Sequence, residues 1–209
     1  MNSTLIKVCG MREPENIRQV EALGADWMGF IFWPGSSRYV GRRPDYLPTG
    51  CKRVGVFVDA AVGDVLRHIE EYALDIVQLH GHESPDYLRQ LPATVGTVKA
   101  FSIATPADLA QTGCYEGTAD YFLFDTKGRA VGGTGEQFDW SVLAHYQGGT
   151  PFLLSGGIGP DDGGRIGALR HPQLAGIDLN SRFEAAPALK DIEKLQTFIT
   201  KIRNNEQHQ

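Results

Sequence analysis

A cysteine stands at the end of the first short apolar run of the chain, in the segment Lys7-Val8-Cys9-Gly10. An apolar run this short that stops at glycine predicts a buried strand that ends in a turn. The Cys9 thiol would then lie at the carboxyl end of the strand, where it could transfer a proton or act as a nucleophile. The alternative is a small buried side chain with a packing role only, as for many isolated cysteines.

A carboxyl group has a similar position at Asp125, directly after the apolar run Tyr121–Phe124. A carboxylic acid held against apolar surface retains its proton more readily than one in water, so Asp125 could be a general acid. It could instead cap a helix or form a salt bridge. The small residues of Gly132–Gly135 predict a loop that moves over a ligand or approaches it closely.

Small and polar residues follow two later apolar runs, as Ser155-Gly156-Gly157 and Asn180-Ser181. Glycines let backbone N–H groups approach an anion, so these residues could bind a phosphate group. The alternative for Gly156-Gly157 is simply a tight turn. Arg38 lies in a loop rich in glycine, serine and proline, where it could bind a carboxylate through two parallel hydrogen bonds or be a solvated surface charge.

The composition narrows the class of protein. The chain has 209 residues, 42% of them hydrophobic, and a net charge of −5, which argues against a general nucleic-acid binder. No apolar run is long enough to span a membrane, and no signal peptide is recognisable. The three cysteines are widely scattered, which favours a reducing compartment, and the expected location is the cytoplasm. His80 and His82 lack a convincing third ligand, so no metal site is predicted.

The elements that must position these residues recur along the whole chain, with no sign of a domain boundary or linker. Near-continuous apolar runs predict eight parallel strands covered on both faces, at Leu5–Cys9, Trp27–Phe32, Arg53–Val58, Ile76–His80, Thr97–Ile103, Tyr121–Asp125, Pro151–Ser155 and Gly176–Asn180. Helical patterns fill most of the gaps between them. Asp59 is expected to cap the second helix, and the last helix is expected to run from about Leu189 to Ile202. The segment between Phe32 and Val54, with its prolines, predicts a loop with at most a short helix.

Eight strands alternating with helices predict a single, compact (β/α)₈ TIM barrel over residues 1–209, with a frayed tail at 204–209. The alternative is a doubly wound open sheet. In a barrel the chemistry lies on the face formed by the carboxyl ends of the strands. Every candidate residue named above follows a predicted strand.

The motifs of the chain, taken together and in order, resemble those of the N-(5′-phosphoribosyl)anthranilate isomerase family over residues 5 to about 203. The matching motifs are K-V-C-G at 7–10, F-x-x-x-S-S-R at 32–38, V-G-V-F at 54–57, Q-L-H-G at 78–81, F-D-T at 124–126, G-G-T-G at 132–135, F-D-W at 138–140, L-S-G-G at 154–157 and L-K-D at 189–191. The resemblance implies a (β/α)₈ barrel of tryptophan biosynthesis that carries out an Amadori rearrangement on a phosphosugar, without a cofactor. A monomer or homodimer is expected.

The resemblance also implies roles for residues of this chain. Cys9 would be the general base, and Asp125 the general acid. Arg38 would bind the anthranilate carboxylate, and the remaining substrate-binding residues would be His80, Gly156, Gly157, Asn180 and Ser181. A thiol titrates at about 8.5, so a neighbouring cation or helix terminus would have to favour the thiolate. Lys7 should not be assumed to be that cation, because side-chain alternation along the strand could turn it away.

One departure from the family pattern bears on the predicted phosphate site. The family often has Ser-Ser-Gly-Val-Glu after the last strand, where this chain has Asn180-Ser181-Arg182-Phe183-Glu184. The larger Arg182 and Phe183 leave open which groups contact phosphate. Two other functions stay open on the residues alone: a different phosphosugar barrel enzyme, and a non-catalytic phosphate-ligand binder that would need neither Cys9 nor Asp125.

Overall fold

A closed barrel of parallel strands forms the centre of the protein. The computed structural model describes residues 3–126 and 139–207, and the predicted loop Gly132–Gly135 therefore lies outside the described residues. Within them, eight strands pair in chain order and β1 pairs with β8, which closes the barrel and excludes the open sheet. The strands are β1 (Leu5–Cys9), β2 (Trp27–Ile31), β3 (Lys52–Phe57), β4 (Ile76–Leu79), β5 (Gly96–Ile103), β6 (Tyr121–Thr126), β7 (Phe152–Leu154) and β8 (Leu174–Leu179). The (β/α)₈ prediction is confirmed.

The strands are buried on both faces because their side chains alternate between two apolar layers. One layer fills the inside of the barrel and includes Trp27, Val54, Ile76 and Leu123. The other layer packs between the barrel and the surrounding helices. The barrel interior is therefore a packed core, and a ligand has room only at its ends.

Helices and 3-10 turns cover the outside of the barrel. The α-helices are α1 (Pro14–Ala22), α2 (Val62–Tyr72), α3 (Pro85–Leu88), α4 (Gly163–Ala168) and α5 (Ile192–Gln207). The 3-10 segments run over Pro106–Tyr115, Trp140–His145, Pro160–Asp162 and Ser181–Phe183. In the described part of the chain, no helix is both long and apolar enough to cross a membrane.

Two predicted helix boundaries are wrong. Helix α2 begins after Ala61, and Asp59 lies outside it in a left-handed conformation (φ 49°), where its carboxylate accepts the backbone N–H of His82. Helix α5 begins at Ile192, because Leu189 belongs to a short antiparallel hairpin of β9 (Glu184–Ala186) and β10 (Leu189–Lys190). The apolar side chain of Leu189 is 41% exposed, so it continues the helical apolar pattern in sequence only.

The connection between β2 and β3 is a loop, as predicted, since the fully described segment 32–51 contains no helix. Its first part stays close to the barrel, because Val40 donates its backbone N–H to the carbonyl of Ile31. Tyr39 also forms an isolated bridge with Ile31. This path carries Arg38 back over the carboxyl end of β2.

Candidate active site

A single pocket at the carboxyl ends of the strands brings together every residue that the sequence nominates for the site. Its lining includes Cys9, Arg38, His80, Asp125, Gly156, Gly157, Asn180 and Ser181. These residues come from the ends of β1, β4, β6, β7 and β8 and from the loop after β2. Barrel closure therefore converts positions scattered over 170 residues of sequence into one site.

Cys9 lies on the inner wall of the barrel and is only 4% exposed. Gly29 on β2 makes room for it, because a Cβ atom at Gly29 would lie 2.6 Å from Cys9 Sγ. Lys7 shares the inner face of β1 with Cys9, since residues two apart in a strand point to the same side. Strand alternation therefore places Lys7 on the same side as Cys9.

The ammonium group of Lys7 is completely buried and forms an ion pair with Asp178, with 2.8 Å between Lys7 Nζ and Asp178 Oδ1. Asp178 Oδ2 also accepts a hydrogen bond from Ser155 Oγ at 3.3 Å. These groups form a polar layer directly beneath the pocket, linking β1, β7 and β8. Burying such a pair costs desolvation energy that only good geometry offsets, which the 2.8 Å contact provides.

Opposing effects act on the Cys9 thiol. Burial raises its pKa, Lys7 lowers it, Asp178 raises it again and Lys190 lowers it. The net direction of the pKa is upward, so Cys9 is mainly a thiol at neutral pH. The nearby cations reduce the cost of forming the thiolate without removing it.

Asp125 faces a short relay of polar side chains from β4. His80 Nε2 lies 3.4 Å from Asp125 Oδ2, and His80 Nδ1 lies 3.0 Å from the side-chain nitrogen of Gln78. Gln78 is 1% exposed and fixes the plane of the imidazole ring. These contacts set which edge of the imidazole ring faces Asp125 and which faces Gln78.

The close approach of the β7 loop to Asp125 depends on Gly156. Its backbone is left-handed (φ 87°), and a Cβ atom there would lie 2.2 Å from Thr126 Oγ1 and 2.8 Å from Asp125 Oδ1. Asp125 Oδ1 itself accepts the backbone N–H of Thr126 at 2.8 Å. A side chain at Gly156 would thus displace the carboxyl group of Asp125.

Arg38 is held by Glu184, a contact that the sequence did not reveal. The carboxylate of Glu184 accepts from Arg38 Nη2 at 2.6 Å and from Arg38 Nε at 2.9 Å. Lys190 also contacts Glu184, with 2.7 Å between Lys190 Nζ and Glu184 Oε1. Both new residues lie in the β9–β10 hairpin, where the sequence had predicted a loop and the start of a helix. No sequence pattern indicated this contact, because the burial of Lys190 follows from the hairpin itself.

Gly10 leaves room for the side chains of Arg38 and Asn180 next to Cys9. Its backbone is left-handed (φ 78°), and a Cβ atom would lie 2.6 Å from Arg38 Cδ and 2.9 Å from Asn180 Oδ1. The side chains of Arg38 and Asn180 therefore meet over the glycine that follows the cysteine. This packing explains why glycine follows Cys9, since any side chain at position 10 would collide with Arg38 and Asn180.

The two large residues that depart from the family pattern after β8, Arg182 and Phe183, do not fill the pocket. Phe183 is fully buried and packs on Phe198 of α5, with ring centroids 4.9 Å apart. Arg182 is exposed, and neither residue lines the pocket. Asn180 and Ser181 line it instead, beside Gly156 and Gly157.

The walls of the pocket differ in polarity. Apolar side chains from the ends of β2 and β3 line one wall: Ile31, Trp33, Val56 and Val58. A second wall carries the residues that follow β7 and β8. The pocket thus fits a molecule with an aromatic or apolar group and an acid group at one end and an anion at the other.

Two histidines, His80 and His82, follow β4, and histidine is a common metal ligand. Among the residues that the structure describes, no group of three or more His, Cys, Asp or Glu side chains is placed to hold a metal ion. His82 is exposed, and its backbone N–H is bonded to Asp59. His80 belongs to the relay beside Asp125.

A closed parallel barrel with one pocket at the carboxyl ends of its strands, lined by a thiol, a carboxyl group and a guanidinium group, is the architecture of a (β/α)₈ enzyme. The model of the N-(5′phosphoribosyl)anthranilate (PRA) isomerase family matches residues 6–201. The chain belongs to this family of isomerases.

Individual relatives agree with the family match. The chain is 54% identical over 200 residues to the N-(5′-phosphoribosyl)anthranilate isomerase of Phocaeicola vulgatus, covering 95% of this chain and 98% of that protein. Phosphoribosyl anthranilate isomerase from Thermus thermophilus superposes with a TM-score of 0.82 at 32% identity, over 95% of this chain and 98% of the other. A further phosphoribosyl anthranilate isomerase structure, in complex with reduced 1-(o-carboxyphenylamino)-1-deoxyribulose 5-phosphate, is similar with a TM-score of 0.79 at 26% identity, over 96% and 99% of the two chains.

Proposed function

We propose that this protein catalyses the Amadori rearrangement of N-(5-phosphoribosyl)anthranilate to 1-(2-carboxyphenylamino)-1-deoxyribulose 5-phosphate, a step of tryptophan biosynthesis. The observation that carries the proposal is that Cys9 and Asp125, from β1 and β6, line the same pocket as Arg38 in a member of this family. An aldose-to-ketose rearrangement needs an acid and a base at one substrate, and these side chains supply both.

The two ends of the substrate match the two walls of the pocket. The anthranilate ring would lie against Ile31, Trp33 and the β3 valines, with its carboxylate on Arg38. The phosphate group would lie at Gly156, Gly157, Asn180 and Ser181, where glycine backbone allows close approach. This placement puts the ribose between Cys9 and Asp125.

Asp125 is assigned the general acid. Its proton would pass to the ring oxygen of the ribose as the C1′–O bond breaks, giving the open-chain Schiff base. His80, 3.4 Å from Asp125 Oδ2, orients the carboxyl group and binds the substrate hydroxyls from the same side. The role of His80 is therefore substrate binding and positioning.

Cys9 is assigned the general base. Its thiolate would take the proton from C2′ of the Schiff base, leaving an enolamine that tautomerises to the ketone. Carbon–hydrogen acidity is raised by the protonated imine, so no cofactor is required for the step. Lys7 and Lys190 are the cations that favour the thiolate against the effect of burial.

Purified protein given N-(5-phosphoribosyl)anthranilate tests the proposal directly. Loss of the anthranilate-type fluorescence of the substrate, with formation of the ketose product, is the expected result. Absence of turnover by the wild-type protein would refute the proposed activity and favour a non-catalytic phosphate-ligand binder. A cytoplasmic location and a monomeric or homodimeric assembly stay predictions, and light scattering on the purified protein checks the second.

A further inference from the structure

The guanidinium group of Arg38 has one edge occupied and one edge available. Glu184 accepts from Nε and Nη2, at 2.9 and 2.6 Å, which is a side-on bidentate pair. A guanidinium group carries five N–H donors, two of them on Nη1. Within the described residues, Arg38 Nη1 donates no hydrogen bond, and Arg38 lines the pocket. The edge formed by Nη1 and Nη2 is therefore the one that can bind a carboxylate.

The hairpin after β8 fixes Glu184 for this contact. Glu184 and Lys190 are cross-strand partners in β9 and β10. The buried side chain of Asn16 on α1 forms hydrogen bonds with both backbone polar groups of Lys190. Asn16 Oδ1 accepts the Lys190 N–H at 2.7 Å, and Asn16 Nδ2 donates to the Lys190 carbonyl at 3.0 Å. Lys190 Nζ then reaches Glu184 Oε1 and Asn180 Oδ1, each at 2.7 Å. The carboxylate of Glu184 consequently has little freedom to turn.

Lys190 also determines the charge that Arg38 presents. Arg38 and Glu184 alone would form a neutral pair, whereas Arg38, Glu184 and Lys190 together carry a net charge of +1. The neighbouring pair of Lys7 and Asp178 is neutral in itself. Sharing one carboxylate between two cations leaves positive charge at the pocket for an anionic group. Arg38 and Lys190 hold the pKa of Glu184 below its usual range in spite of burial, so the carboxylate is ionised at neutral pH.

We propose that Glu184 and Lys190 are positioning residues for substrate recognition, which hold Arg38 so that its free edge faces the substrate carboxylate with an uncompensated charge. The inference rests on the proposed function, in which Arg38 binds that carboxylate. It adds to that function the device that makes a salt-bridged arginine available for binding. Neither residue touches the reacting atoms.

The decisive variant is Glu184→Gln, because charge and geometry predict opposite results for it. Removing a negative charge would by itself strengthen binding of an anionic substrate. Loss of the bidentate contact would instead release Arg38, and we expect KM to rise roughly tenfold, the usual effect of losing a charged hydrogen bond. An unchanged or lower KM would overturn the proposal.

A substrate analogue without the carboxylate separates positioning from a merely structural role. N-(5-phosphoribosyl)aniline is used as a competitor, and its inhibition constant is expected to be the same for the wild type and Glu184→Gln. Equal weakening of both ligands would overturn the proposal. Asp26→Asn is the matched control, since it breaks a 2.6 Å ion pair with Arg203 at the opposite end of the barrel and is expected to leave KM unchanged.

A second variant keeps the test decisive if Glu184→Gln does not fold. Lys190→Met removes the second cation, and KM for the carboxylate substrate is expected to rise by a larger factor than the inhibition constant of the aniline analogue, since only the Asn180 contact is common to both ligands. No change in KM overturns the proposal. Turnover by the wild type is measured first, so that failure of the proposed function is distinguished from failure of this inference.

Discussion

Lys7 and Asp178 form an ion pair inside the barrel, with 2.8 Å between Lys7 Nζ and Asp178 Oδ1, on the same inner face that carries Cys9. Because Lys7 lowers the pKa of Cys9, replacing it by methionine removes a favourable interaction with the thiolate. The pKa of Cys9 is then expected to rise further. Since the thiolate is the active form, kcat/KM at neutral pH falls roughly tenfold for Lys7→Met.

The pH profile of kcat/KM measures this effect. In the wild type, burial raises the pKa of Cys9, so kcat/KM is expected to go on increasing above about pH 8.5, the ordinary pKa of a thiol. Lys7→Met moves this rising limb to higher pH. Alkylation of Cys9 by iodoacetamide, with Cys51 and Cys114 replaced by serine, reports the same shift without turnover. A limb at the same pH in both proteins would contradict the role of Lys7.

Gly10 and Gly24 give a matched pair of variants. Both glycines have φ of 78°, but only a Cβ atom at Gly10 would meet other atoms, namely Arg38 and Asn180. Alanine at either position is expected to lower the free energy of unfolding by about 1–2 kcal/mol through backbone strain. KM is expected to rise for Gly10→Ala alone. Urea unfolding and KM are measured for both, and an equal KM in both variants would show that Gly10 does not support the Arg38 site.

Replacing Gln78 by methionine is expected to lower kcat without lowering the stability of the fold. Its side-chain oxygen is buried and has no hydrogen-bond partner among the described residues, while its nitrogen contacts His80. An unpaired buried oxygen costs about 1–3 kcal/mol, so Gln78→Met is expected to unfold no more easily than the wild type. Because the His80 ring loses its support beside Asp125, kcat is expected to fall roughly tenfold.

The control for Gln78 is Thr112→Val, which removes a buried hydroxyl bonded to the carbonyl of Leu109 on the outside of the barrel. This variant is expected to lose stability with no change in kcat. If Gln78→Met instead keeps the wild-type kcat, the relay through His80 has no part in the reaction.

The sequence predicted most of the fold because each strand is a continuous apolar run with an abrupt end. The predicted bounds of β1 agree with the structure, and those of the other strands differ by one or two residues. The errors arise where tertiary contacts override a local pattern. Asp59 looks like a helix cap but bonds to His82, and Leu189 fits a helical period but pairs in a hairpin.

The candidate site was predictable to the extent that its residues follow strands. Cys9, Asp125 and the glycines of β7 could be nominated from position alone. The orientation of Lys7 also follows from strand alternation, because residues two apart in a strand point to the same side. Glu184 and Lys190 could not be found in this way, because the contact between Glu184 and Arg38 joins residues 146 apart and depends on a hairpin with no clear sequence pattern.

The central claim is that Cys9 and Asp125 are the base and the acid of one reaction. The most direct measurement is kcat and KM for Cys9→Ser and Asp125→Asn with N-(5-phosphoribosyl)anthranilate, with thermal unfolding as the check on folding and Cys114→Ser as the matched control. We predict that each active-site variant lowers kcat by about 10²–10⁴ with little change in KM, because general acid–base groups act on the transition state. Wild-type kcat in both folded variants would contradict the account.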